Sequence, residues 1–146
     1  MRRFETFSML ITKINRNMRK LKSQEMRQFN LRSSHVHYIY YLYKEKALSL
    51  KQLSEICVSD KAAVSRGIDE LQELGYVKQS GKRQYKLSYS LTEEGEKIGE
   101  RLALKVDSVL EATSIGVSEE KRLEFYNNLS KISENLQRLV DDNLEL

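Results

Sequence analysis

Ser49-Leu50-Lys51-Gln52-Leu53-Ser54-Glu55-Ile56-Cys57-Val58-Ser59-Asp60-Lys61-Ala62-Ala63-Val64-Ser65-Arg66 reads as two helices and the turn between them. Ser49 opens a capping box, with Gln52 three residues on. The short helix that follows turns Leu50, Leu53, Ile56 and Cys57 inward. Cys57-Val58-Ser59-Asp60 makes a four-residue turn, and Ser59 or Asp60 caps the next helix. Val64, Ile68, Leu71 and Leu74 form the apolar face of that second helix, and Gly75 is a natural stop. Two helices joined in this way predict a helix-turn-helix.

Beyond Gly75 the hydrophobic period changes from helical to alternating. Tyr76-Val77 starts a strand and Ser80-Gly81 reads as a turn. Tyr85, Leu87, Tyr89 and Leu91 then alternate with Lys86, Ser88 and Ser90, the pattern of a half-buried antiparallel hairpin. Every charge between Tyr76 and Thr92 is basic: Lys78, Lys82, Arg83 and Lys86. A helix-turn-helix followed by a basic hairpin is the winged arrangement that reads duplex DNA. Its second helix must be held from behind by one apolar face and be free in front. Ser59, Lys61, Ser65, Arg66 and Asp69 supply hydrogen-bonding groups on the free side, and Ala62 and Ala63 permit close approach to a groove. Arginine suits bidentate contact with guanine or insertion into the minor groove. The wing cations would run along the phosphate backbone.

The flanking segments are helical. Phe4, Phe7, Ile11, Ile14, Met18 and Leu21 alternate spacings of three and four over three heptads, too few for an independent coiled coil. Ser33 or Ser34 caps a further helix whose inner face carries Val36, Ile39, Tyr40 and Tyr43. Thr92 caps a long helix to about Thr113, with Ile98, Leu102, Val106, Val109 and Leu110 as its apolar positions. Gly116 breaks the chain. Ser118 then caps a last helix to about Asp141, striped by Phe125, Leu129, Ile132, Leu136 and Leu139. The expected fold is mainly α with a small β-hairpin wing. Residues 1–146 form one domain, with a DNA-binding lobe over 33–92 and dimerisation helices over 1–32 and 93–146.

Composition narrows the class. Charged residues make up 32% and hydrophobic ones 40%, the balance of a soluble globular chain, and no proline interrupts the helices. One cysteine excludes an intrachain disulfide and fits a reducing, cytoplasmic setting. No signal peptide or membrane span is expected. The net charge of +4 is unevenly spread: +7 over residues 1–32, +3 over 33–92 and −6 over 93–146. A basic head and an acidic tail suggest that the two ends attract.

Residues 53–66 resemble the helix-turn-helix of the MarR family of regulators. Ile68-Asp69-Glu70-Leu71 with Leu74-Gly75-Tyr76-Val77 resembles that family's passage from recognition helix to wing, and Leu91-Thr92-Glu93-Glu94-Gly95 its passage from wing to fifth helix. The resemblance implies a homodimer built on the first, fifth and sixth helices. It further implies a near-palindromic duplex operator, transcriptional repression, and release by a small ligand or by oxidation. The family's wing usually carries an Asp-x-Arg element; Ser80-Gly81-Lys82-Arg83 keeps the cations without the aspartate. In such an architecture the effector cleft lies between the dimer helices and the DNA-binding lobe. Arg16, His37, Tyr38 and Tyr41 are the expected lining, suited to a small acidic or aromatic molecule.

Other signals carry less. His35 and His37, two apart, point to different faces of a helix, and a zinc site would need further ligands. Cys57 reads as a small buried hydrophobe. Gly75 to Lys82 lacks the spacing and the Ser/Thr of a phosphate-binding loop. No catalytic set, metal or cofactor is expected, and the chain does not read as an enzyme. A winged-helix module that binds protein and no DNA is the alternative function. The acid-free wing and Arg66 favour DNA.

Overall fold

The computed structural model describes residues 3–29, 31–80 and 87–142. The chain order is α1 (Arg3–Met26), a 3-10 turn (Arg27–Phe29), α2 (His35–Glu45), α3 (Leu50–Ile56), α4 (Lys61–Glu73), β1 (Val77–Ser80), β2 (Ser88–Leu91), α5 (Glu93–Thr113) and α6 (Glu119–Asp141). The fold is mainly α with one antiparallel hairpin. The chain divides into two compact units, Met1–Leu104 and Lys105–Leu146, with the boundary inside α5.

The first unit is organised around residues fully closed to solvent: Ile39 and Leu42 on α2, Leu53 on α3, and Val64, Ile68 and Leu71 on α4. Val77, Tyr89 and Leu91 close the core from the hairpin, and Ile98 and Leu102 from α5. Each such side chain contributes about 1.5–3 kcal/mol relative to exposure. The hairpin pairs Val77 with Leu91, Lys78 with Ser90, Gln79 with Tyr89 and Ser80 with Ser88. Leu48 joins it as an isolated bridge, its N–H donating to Tyr89 O at 3.0 Å and its carbonyl oxygen accepting Tyr89 N–H at 2.8 Å.

The caps carry much of the local order. Ser49 and Gln52 make the expected reciprocal box: Ser49 N–H donates to Gln52 Oε1 at 2.9 Å, and Gln52 N–H to Ser49 Oγ at 3.3 Å. Thr92 does two jobs. Its hydroxyl accepts Gly95 N–H at 3.1 Å and donates to Gly75 O at 2.7 Å, tying the start of α5 to the end of α4. Ser34 stands at the start of α2 in helical conformation and makes no side-chain cap, a correction to the expected capping serine.

Several expected faces shift. The buried face of α2 is His35, Val36, Tyr38, Ile39 and Leu42, while Tyr40 and Tyr43 lie only half-buried at its edges. Ile56 and Leu74 sit at helix ends and are exposed, as is Leu87 ahead of β2. On α1, Ile14 is 53% exposed, and Phe7 and Ile11 are half-buried; the side chain of Phe4 lies outside the described residues. The second unit buries no side chain of α6, and Leu110 on α5 is also exposed. No helix among the described residues is long and apolar enough to cross a membrane.

Candidate nucleic-acid interface

Helix α4 is built to be held from one side. Asp60 caps it, Oδ1 accepting Ala63 N–H at 2.8 Å, and Ser59 instead donates its hydroxyl to Cys57 O at 3.1 Å. Val64, Ile68 and Leu71 face the core, and Gly67 completes that face by admitting the Tyr38 ring. A Cβ at Gly67 would stand 2.5 Å from Tyr38 Cε2. The chain turns into α4 through Val58, a non-glycine residue at φ 49° and 91% exposed.

The opposite side of α4 is open. Lys61, Ala62, Arg66 and Asp69 are exposed there, with Ala63 and Ser65 half-buried on its flanks. The expected groups for base contact thus share one surface, with Lys61 toward the helix N-terminus and Arg66 and Asp69 beyond it. The positive end of the helix dipole adds to the Lys61 charge. On the wing, Lys78 projects from β1 into solvent. Lys82, Arg83 and Lys86 lie outside the described residues.

The expected effector residues separate. Arg16 lines a groove along α1 of about 800 Å³ with Thr12, Asn15, Arg19, Lys20 and Arg27, and none of His37, Tyr38 or Tyr41 lines it. Tyr38, expected off the Val36 face, is 4% exposed and belongs to the core beneath α4. His37 meets Lys22, whose ammonium donates to Nε2. Burial, then the adjacent Lys22 charge, pushes the His37 imidazole below its ordinary value. Burial and Arg19 likewise lower the Lys22 amine. Half-buried Cys57 lies within the same electrostatic reach, its thiol pushed up to about 11 by burial against the opposing pull of Lys22. That thiol is protonated at neutral pH and is a poor nucleophile. Tyr41, the remaining aromatic of this region, packs edge-on against Tyr40 with ring centroids 5.4 Å apart.

Sequence reading missed one polar cluster behind α4. His35, expected only as half of a weak metal pair, is buried and bonded to Glu70, which also pairs with Arg32. Among the described residues no group of three His, Cys, Asp or Glu side chains stands together as metal ligands.

A small helical lobe with a two-stranded wing, and with a second helix held from behind and open in front, is a winged helix-turn-helix. Residues 29–83 match the profile of the MarR family. Solved structures share the fold well beyond the lobe. NMB1585, a MarR family regulator from Neisseria meningitidis, superposes with a TM-score of 0.83 at 18% identity, covering 99% of this chain and 100% of its own. MepR of Staphylococcus aureus, solved in complex with DNA, gives 0.81 at 22% identity over 93% and 99%. NadR in complex with 4-hydroxyphenylacetate gives 0.72 at 18% identity over 86% and 91%. No curated protein matches the chain in sequence.

Proposed function

We propose that the chain is a homodimeric transcriptional repressor that binds a near-palindromic duplex through paired α4 helices and wings. The observation that carries this reading is α4 itself, closed to solvent at Val64, Ile68 and Leu71 and open at Ala62, Arg66 and Asp69. A helix anchored in this way can enter a major groove without losing core contacts. Arg66 is the base-reading side chain, and Lys61 and Lys78, with Lys82, Arg83 and Lys86, neutralise phosphates. The solved complex of MepR with DNA supports that assignment by similarity of fold. Dimerisation falls to the exposed apolar stripes of α1 and α6, aided by the unlike charges of head and tail. A cytoplasmic regulator of this kind needs no cofactor and no membrane.

Release follows from a small aromatic or acidic effector. NadR, solved with 4-hydroxyphenylacetate, supports that chemistry. In this chain His37 and Tyr41 are the polar aromatic groups for it, and Lys22, already beside His37, is the cation in place of Arg16.

Selection of bound duplexes from a random pool, followed by titration at several salt concentrations, tests the reading. Arg66→Ala is expected to weaken the selected site by about 1–3 kcal/mol and relax its sequence, while Arg83→Ala weakens all sequences evenly and lowers the salt slope by about one. The two half-sites should stand roughly 34 Å apart, one helical turn. Equal affinity of the intact protein and an Arg66/Lys82/Arg83 triple alanine variant sinks the proposal.

A further inference from the structure

The C-terminal half of α4 is fastened to the start of α2 by three polar groups. His35, the first residue of α2, is 2% exposed and is the one buried side chain among the described residues that can take up a positive charge. Its Nδ1 accepts the Arg32 backbone N–H at 3.2 Å, so Nε2 carries the proton and donates to Glu70 Oε2 at 3.0 Å. Arg32 Nη1 meets the other carboxylate oxygen of Glu70, also at 3.0 Å. Glu70 lies one turn beyond Arg66 on the helix assigned to the groove. A cleft of about 500 Å³ opens over these groups, lined by Arg27, Arg32, His35, Glu70 and Glu73, and gives water and protons a path to them.

We propose that His35 is a positioning residue for DNA readout, a latch that holds α4 through Glu70 only while its imidazole is neutral. The proposal rests on the DNA-binding reading above. Its chemistry is geometric. A second proton would have to sit on Nδ1, where the Arg32 N–H already points, and two donors cannot share that line. The ring must turn out or the Arg32 backbone must give way. Either movement loosens the hold on Glu70 and frees α4 to roll, so Arg66 loses its register against the bases.

The charged groups facing His35 come from three elements: Glu70 and Glu73 from α4, Arg32 from the segment before α2, and Arg27 from the 3-10 turn. Burial is the largest influence and lowers the imidazole; Glu70 opposes it and Arg32 adds to it, leaving the group below its ordinary 6.5. A histidine so depressed supports the folded arrangement fully above 6.5, and that support is lost as pH falls below 6.5 through the folded value. The expected sign is diagnostic. The field of a polyanion favours a protonated histidine, so one that merely lies near DNA tightens binding in acid. The latch loosens it.

The experiment measures affinity of the intact protein for its selected duplex at fixed salt from pH 7.5 to 5.5, where histidine is the side chain that titrates. Wild type is expected to lose affinity as pH falls across this range, because the protonated ring cannot hold the closed arrangement. His35→Gln keeps an amide donor for Glu70, cannot ionise, and should show no loss. His37→Gln removes the other histidine and should retain the loss. Should His35→Gln fail to fold, Glu70→Gln decides: without the carboxylate that raises the imidazole, the step must move to lower pH, and an unmoved step overturns the latch. Binding without acid-induced loss, or a loss that survives in His35→Gln, overturns the latch and leaves DNA binding standing. Failure to bind duplex at any pH overturns the DNA reading and the latch with it.

Discussion

Helices α4 and α6 carry the same kind of pattern and meet different fates. Both begin at a side-chain cap, and both space apolar residues three and four apart. In α4 the stripe is sealed, with Val64, Ile68 and Leu71 at zero exposure against α2, α3 and β1. In α6 no side chain is buried, and Phe125, Leu136 and Leu139 remain 52%, 49% and 36% exposed. Periodicity states that a stripe is to be covered; it does not state by what. A face that the chain covers itself is a contribution to folding. A face left open, at about 25 cal/mol per Å² of apolar surface, is a reserve for association.

The largest expected effect separates the two. Leu71→Ala should cost about 2–5 kcal/mol at every protein concentration, because it empties a closed core site. Leu136→Ala should leave the unfolding free energy of dilute protein within about 1 kcal/mol of wild type, since its side chain is half in water already. Its penalty should emerge as concentration rises and a second copy covers the stripe. Denaturant titrations at two concentrations, with sedimentation alongside, measure both. Equal losses for the two variants in dilute solution break the contrast.

Smaller effects should follow from the caps. Asp60 holds Ala63 N–H at 2.8 Å, whereas Ser118 holds Lys121 N–H at a long 3.4 Å. Removing either cap should cost on the order of 1 kcal/mol, with Asp60→Ala the more costly because its charge also meets the helix dipole. Thermal unfolding ranks them. Asp60→Ala should in addition fray the turn bearing Lys61 and Ala62 and weaken duplex binding, which Ser118→Ala should not. A Ser118→Ala loss exceeding that of Asp60→Ala contradicts the geometry.

The parts of this molecule that were legible in its sequence are those decided within three or four residues. The Ser49–Gln52 box, the turn into α4, the hairpin after Gly75 and the helix starting at Thr92 all belong to that class. What lay hidden depends on distance along the chain. His35 and Glu70 are bonded across 35 residues, and Lys22 meets His37 across 15. Nothing in the local pattern of either partner announces such a pair. Tyr38 was misplaced for a related reason: its burial depends on a gap left by Gly67 on another helix. Ile56 and Leu74 read as core by period, but helix ends present their last apolar residue to solvent as readily as to the interior. For α4 the open face was legible because its exposed side chains follow directly from its buried ones. The arrangement of the expected effector residues was not, because they come from α1 and α2 and only the packing decides which of them meet.

The smallest expected effect concerns two turns that solve one problem with different residues. Gly116, between α5 and α6, has φ 83°, a left-handed conformation that costs glycine nothing. Val58, between α3 and α4, is held at φ 49° although it is β-branched and 91% exposed, with no burial to compensate. An L-residue there sacrifices roughly 1–2 kcal/mol to the clash of Cβ with the backbone. Glycine would remove the clash and give back about 0.5–1 kcal/mol through its greater freedom in the unfolded chain. Val58→Gly should therefore stabilise the protein by a few tenths to about 1 kcal/mol, while Gly116→Ala should destabilise it by a similar amount. Melting curves of the two single variants and the double variant test this, the sites being independent turns whose effects should add. A destabilised Val58→Gly would mean that valine makes a contact the free subunit leaves open. Val58 stands two residues before Asp60, the cap of α4, so a duplex or a second copy would be the first surface to examine.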